Sequence, residues 1–186
     1  KRGAPWYNVH MELVLCCDYG LDDAAATVDA LAHAAQDGYT RAVLVAVGGN
    51  VPPAVSLANA GKLVAHLPFA TVPLTVVDTT AEKQPFEFLK TIHGGDGMGD
   101  LFSDDEGFSA SVVPFSAWLQ TLQGDYDLLS LGPMTLIPRI LAHKNARRFV
   151  FMGGNIAEEP NFHGYEFNHA LDRGAFADVV SAYAHV

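Results

Sequence analysis

Short apolar runs recur along the chain at Leu13–Leu15, Arg41–Val47, Leu74–Val77, Leu128–Leu131 and Phe149–Met152. They predict strands buried on both faces. Between most of them lie segments whose apolar residues fall at helical spacing, predicting helices over Asp22–Gln36, Ala54–His66, Phe115–Leu122 and Met134–Ala142. Ala175–Ala184 predicts one more amphipathic helix, whose apolar stripe needs a surface to cover it. Strands alternating with helices predict an α/β fold with a doubly wound, mostly parallel sheet. Residues 11–186 read as one domain, and residues 1–10, which lack periodicity, as an N-terminal arm or an expression remnant.

In such a sheet, ligands bind beyond the C-terminal ends of the strands, so the residues just after each apolar run are the informative ones. The first run ends in Asp18-Tyr19-Gly20-Leu21-Asp22-Asp23, three carboxylates around a glycine turn that opens the first helix. The second is followed by Gly48-Gly49-Asn50, the third at some distance by His93-Gly94-Gly95-Asp96-Gly97-Met98-Gly99. Gly132-Pro133-Met134-Thr135 and Gly153-Gly154-Asn155 follow the fourth and fifth, and Tyr165-Glu166-Phe167-Asn168-His169-Ala170-Leu171-Asp172 comes later. One pocket at the strand ends would collect them all.

Each feature also has a plainer explanation. Asp22 at a helix start reads equally as a cap, the glycines as turn residues, and His163, His169 and Asp172 as local caps or pairs. Asp104-Asp105-Glu106 reads as a solvated loop. Capping does not account for Asp18, which stands where the strand gives out. Three clustered carboxylates repel one another, and a divalent cation is the usual means of keeping them ionised together, so calcium or magnesium is expected. His93 in a glycine-rich loop has little core to satisfy and is expected at the pocket. No zinc-ligand spacing is present.

Composition narrows the partners. The chain has 186 residues, 49% of them hydrophobic, enough for a substantial core. A formal charge of −10 argues against a nucleic-acid backbone or an anionic membrane surface and favours a small neutral or cationic ligand. No apolar run approaches the length of a membrane span, and no signal peptide is recognisable. Cys16 and Cys17 are adjacent and unsuited to an ordinary cross-link, so a reducing, cytoplasmic setting is expected.

Taken in order, these motifs resemble the inosine-uridine-preferring nucleoside hydrolases. That family opens with Asp-x-Asp-Pro-Gly-x-Asp-Asp, where this chain has Cys16-Cys17-Asp18-Tyr19-Gly20-Leu21-Asp22-Asp23. Its Gly-Asn matches Gly49-Asn50, its His-Gly-x-x-Gly-x-Gly loop His93–Gly99, and its Gly-Pro-Leu-Thr is close to Gly132–Thr135. Its Met-Gly-Gly matches Met152–Gly154, and its Glu-Phe-Asn with an Asp four residues on matches Glu166–Asn168 and Asp172. The resemblance implies a calcium-dependent ribonucleoside hydrolase that cleaves the base–ribose bond with water. Asp18 would act as general base and calcium ligand, Asp23 and the Leu131 carbonyl as further ligands. Asn50, Glu166 and Asn168 would hold ribose hydroxyls, Asp22 would contact the ribose, and His93 and Met152 would line the pocket, with His93 catalytic. A homo-oligomer, dimer or tetramer, is expected.

The chain departs from the pattern at Cys16, which removes one charge from the acidic cluster, and at Tyr19, which replaces the loop proline. Pro160 falls where members often place a ribose-binding Asn, although Asn161 is adjacent. Members usually continue into a C-terminal part that supplies a His-Asp pair; this sequence resembles the part before it. These departures keep a second expectation open, a nucleoside- or ribose-binding protein without turnover. A haloacid-dehalogenase-like phosphotransferase would need an Asp two residues after the nucleophile, where Gly20 stands.

Overall fold

The computed structural model describes residues 11–67, 70–101, 111–155 and 159–183. The N-terminal arm, the Asp104–Glu106 loop and Ala184 at the end of the last predicted helix lie outside the described residues. Six strands form one sheet: β1 (Met11–Cys17), β2 (Arg41–Ala46), β3 (Leu74–Asp78), β4 (Val112–Pro114), β5 (Asp125–Ser130) and β6 (Arg148–Phe151). Every pairing is parallel, in the order β4-β3-β2-β1-β5-β6. The chain therefore winds outward from β1 in one direction and then restarts on its other side. β1 and β5 flank the point of reversal, where the strand ends open a crevice.

Alternating side chains of β1 feed two cores. Val14 and Cys16 join Val43, Val45 and Leu128 beneath α4 (Phe115–Thr121), α5 (Ile137–His143) and α7 (Arg173–Tyr183), with Trp118, Ile140 and Val179 as buried anchors. Leu13, Leu15 and Cys17 join Leu44 and Ala46 on the opposite face, packing with Leu31 of α1 (Leu21–His33) and Leu63 of α2 (Pro53–Ala65). Burial on both faces explains why these strands read as continuous apolar runs.

Three elements escaped the sequence pattern. β4 spans three residues at the sheet edge and ends in Pro114, while α3 (Lys90–His93) and α6 (Phe167–Leu171) are too short to show a helical period. The predicted helix from Met134 begins as a 3-10 turn over Met134–Leu136, with Ile137 donating to the Met134 carbonyl. Pro138 has no amide to offer that carbonyl, so the α-helical ladder starts only at Ile137. The apolar stripe of α7 is covered by the chain itself: Val179 is buried, and the rings of Phe176 and Tyr183 pack on Phe151 and Phe149.

At the N-terminal end of β5, buried Asp127 accepts hydrogen bonds from Tyr39 Oη at 2.8 Å, Arg147 Nε and Nη2 at 2.9 and 2.6 Å, and Arg148 Nε and Nη2 at 2.8 and 2.6 Å. Burial opposes ionisation of this carboxyl, but the two guanidiniums and the phenol outweigh it and hold Asp127 well below the usual carboxylate range. A depressed folded-state pKa gives stability that is present above the unfolded pKa and lost as pH falls toward the folded value. Asp127→Asn is expected to lower the unfolding free energy by about 1–2 kcal/mol at pH 7. The deficit should shrink below about pH 4, as urea titrations at pH 7 and pH 3 would show.

Candidate active site

β1 delivers Asp18 to the crevice, and the two neighbouring strands make room for it with glycine. A Cβ on Gly49, after β2, would sit 1.9 Å from Asp18 Oδ2; one on Gly132, after β5, would sit 3.0 Å from the Asp18 amide nitrogen. A side chain at Gly49 forces a shift of its surroundings and one at Gly132 requires neighbours to give by a few tenths of an ångström, which gives both glycines a role beyond turn formation. The carboxylate is 1% exposed, and its Oδ2 accepts the Asn50 amide at 2.5 Å.

Asp23, 2% exposed, lies in the first turn of α1 and accepts the Gly20 amide at 2.9 Å. The capping interaction expected of Asp22 is thus made by Asp23, while Asp22 points to the exposed rim. The carboxyl groups of Asp18 and Asp23 come within hydrogen-bonding reach of each other. Burial pushes both above the usual carboxylate range, and the charge of Asp18 raises Asp23 further. Burial also pushes the Cys16 and Cys17 thiols up, so they stay neutral and add no charge; both cysteines are free.

Beside Asn50 lies a cavity of about 310 Å³. Its polar wall comprises Asp22, Asn50, Asn161, Glu166 and Asn168, and its apolar wall Leu89, Ile92, Met152, Phe162 and Phe167. The structure thus gathers five expected site residues around one space, and Asn161 takes a place on the wall next to Pro160. Glu166 accepts the amides of Asn168 and His169, both at 3.0 Å, and of Gly154 at 3.1 Å, locking the start of α6 to the loop after β6. Asn168 Nδ2 donates to the Leu131 carbonyl at 2.6 Å and to that of Met152 at 3.4 Å. Asp172 caps α7 by accepting the Ala175 amide at 3.0 Å, in keeping with its plainer reading.

His93 stands beside this wall rather than on it. It is buried at the end of α3, and its Nδ1 accepts the Leu21 amide at 3.3 Å, tying the glycine-rich loop to the acidic one. Asn59, on the buried face of α2, carried no motif. Its signal was a polar residue three positions after Ser56 on a face otherwise holding Ala60 and Leu63.

Two buried carboxylates without a cationic partner among the described ion pairs suit a hard divalent cation, while the Leu131 carbonyl has one lone pair already taken by Asn168 Nδ2. Among the described residues no group of three or more His, Cys, Asp or Glu side chains is placed to hold a metal. Calcium takes six to eight oxygens, so water and substrate hydroxyls would complete its shell.

A buried acidic pair and a polar-walled cavity at the reversal point of an all-parallel α/β sheet define a strand-end ligand pocket. The family model described as "Inosine-uridine preferring nucleoside hydrolase" matches residues 13–186, and the chain belongs to that family. It is 32% identical over 178 residues to the non-specific ribonucleoside hydrolase RihC of Salmonella agona, covering 91% of this chain and 57% of the relative. Among solved structures, a purine-preferring ribonucleoside hydrolase from Gardnerella vaginalis matches with TM-score 0.66 and 25% identity over 88% of this chain and 55% of that one. An inosine-guanosine nucleoside hydrolase shares the fold with TM-score 0.65 and 24% identity, over 94% and 59% of the two chains. The chain thus spans somewhat more than half the length of the relatives it matches.

Gly49→Ala places a methyl group on the Asp18 carboxylate and must displace one of the two loops. Thermal or urea unfolding is expected to show a loss of about 1–3 kcal/mol.

Proposed function

We propose that the chain carries the catalytic half-site of a calcium-dependent ribonucleoside hydrolase, which cleaves the N-glycosidic bond to free base and ribose. The observation that carries this reading is Asp18: a buried carboxylate at a strand end, oriented by the amide of Asn50, which itself lines a cavity of nucleoside scale. The Asp18 carboxylate, ionised, accepts the proton of the attacking water. Asn50, Glu166 and Asn168 bind ribose hydroxyls, and Asp22 adds negative charge at the rim, where a ribosyl centre gains positive charge as the bond breaks. Leu89, Ile92, Phe162 and Phe167 offer an apolar wall to the base. Calcium held by Asp18, Asp23 and the Leu131 carbonyl would supply Lewis acidity and keep both carboxylates ionised.

A second reading, ribonucleoside binding without turnover, is favoured by one observation: Cys16, a neutral thiol, stands where relatives of this pattern place a carboxylate. Reducing-sugar release from inosine, uridine, cytidine and adenosine separates the two. Hydrolysis predicts release that excess chelator abolishes and that Asp18→Asn lowers by about 10²–10⁴-fold in a folded variant. Nucleoside affinity without release selects the binding reading, and release indifferent to both changes overturns the mechanism.

A further inference from the structure

The two loops that build the acidic end of the site meet over a residue with no motif of its own. Asn59 is 2% exposed, and α2 projects its carboxamide between them. Nδ2 donates to the Tyr19 carbonyl at 3.3 Å in the loop after β1 and to the Asp96 carbonyl at 2.9 Å in the glycine-rich loop. A carboxamide nitrogen has two hydrogens, so each can serve one loop.

The first of these bonds bears on the site chemistry. The Tyr19 carbonyl and the Gly20 amide belong to one planar peptide group. Asn59 holds that group at its oxygen, and at its other end the Gly20 amide donates to Asp23 at 2.9 Å. Tyr19 adopts φ 39°, an uncommon backbone for a residue with a side chain, and its own carbonyl is one of the two that Asn59 grips. Ser56, one turn earlier on α2, donates to the Cys17 carbonyl at 3.5 Å, so the same helix face steadies the strand end as well.

We infer that Asn59 is a positioning residue for the reaction: its carboxamide clasps the acidic loop to the glycine-rich loop and fixes the peptide that orients Asp23. The inference rests on the hydrolase reading for its catalytic part only, since the clasp itself is a matter of backbone order. Without the donor, two carbonyls lose their partner and the Tyr19–Gly20 peptide is free to turn away from Asp23. His93 holds the adjacent Leu21 amide from the glycine-rich side, so the loop would loosen locally while the sheet stays intact.

Asn59→Leu keeps the branched outline and removes both donors, and Asn59→Asp keeps the size and shape and sets a carboxylate against the same carbonyls. Whichever variant folds is compared with the unaltered chain by amide hydrogen exchange and by saturation kinetics of ribose release with calcium present. Exchange at Gly20 is expected to rise by about ten-fold or more, with Val45 in β2 moving far less. The kcat is expected to fall by about ten-fold or more with KM nearly unchanged. Gly20 exchange that stays unchanged, or that rises only in step with Val45, overturns the clasp. Faster Gly20 exchange with an unaltered kcat overturns its catalytic part. If the unaltered chain releases no ribose, the hydrolase reading fails, and Gly20 exchange still decides whether Asn59 fixes the loop.

Discussion

Burying the Asp18 carboxylate at the end of a central strand is the constraint from which the rest of the site follows. A carboxylate removed from water is tolerated only with compensating hydrogen bonds and enough room for its oxygens. The Asn50 amide supplies the bond, and the bare backbones of Gly49 and Gly132 supply the room. Those two glycines end the strands on either side of β1, so the sheet order itself sets up the space. The reversal between β1 and β5 then leaves the crevice open above it.

The loops beyond the strands are tied to this point by short polar links. Asp23 fastens the start of α1 through Gly20, His93 fastens Leu21 to the glycine-rich loop, and Glu166 gathers the loop after β6 to the start of α6. Asn168 closes the circuit by bonding the carbonyls that follow β5 and β6. Each link joins main chain to side chain; those of Asp23 and of Glu166 to α6 are local, while those of His93, of Asn168 and of Glu166 to Gly154 tie together segments distant in sequence. Such an arrangement keeps binding groups at defined positions while leaving their outward faces free for a ligand.

The central elements were legible because their side chains repeat at the period of the structure: β1, β2 and β5 are apolar on both faces, and α1 and α2 show a helical stripe. β4, α3 and α6, of three to five residues, are too short for their period to repeat and carry no apolar run as long as those that mark β3 and β6. The site was legible where a glycine or carboxylate interrupts an apolar run, as at Asp18, Gly49 and Gly132. It was not legible where a residue acts from inside a regular element: Asn59 sits in mid-helix, where spacing alone does not separate a satisfied core amide from a clasp. His93 was visible as chemistry but not as geometry, because its bond to Leu21 spans 72 positions.

Asp127 and Asp18 show how environment divides one residue type between two tasks. Both are buried, Asp127 in the first half of β5 and Asp18 just past the end of the adjacent β1. Asp127 meets two guanidiniums and is held below the usual carboxylate range, so its charge is settled within the fold. Asp18 and Asp23 meet amides and each other, and burial raises them both. Backbone amides orient a carboxylate but do not neutralise it, and the described ion pairs bring no cationic side chain to this pair. A proton held between the two carboxyls, a bound cation or positive charge on a ligand would each offset the repulsion within the pair. A site built this way gains most from a ligand in its most cationic state, which for an N-riboside is the state in which the bond to the base is breaking.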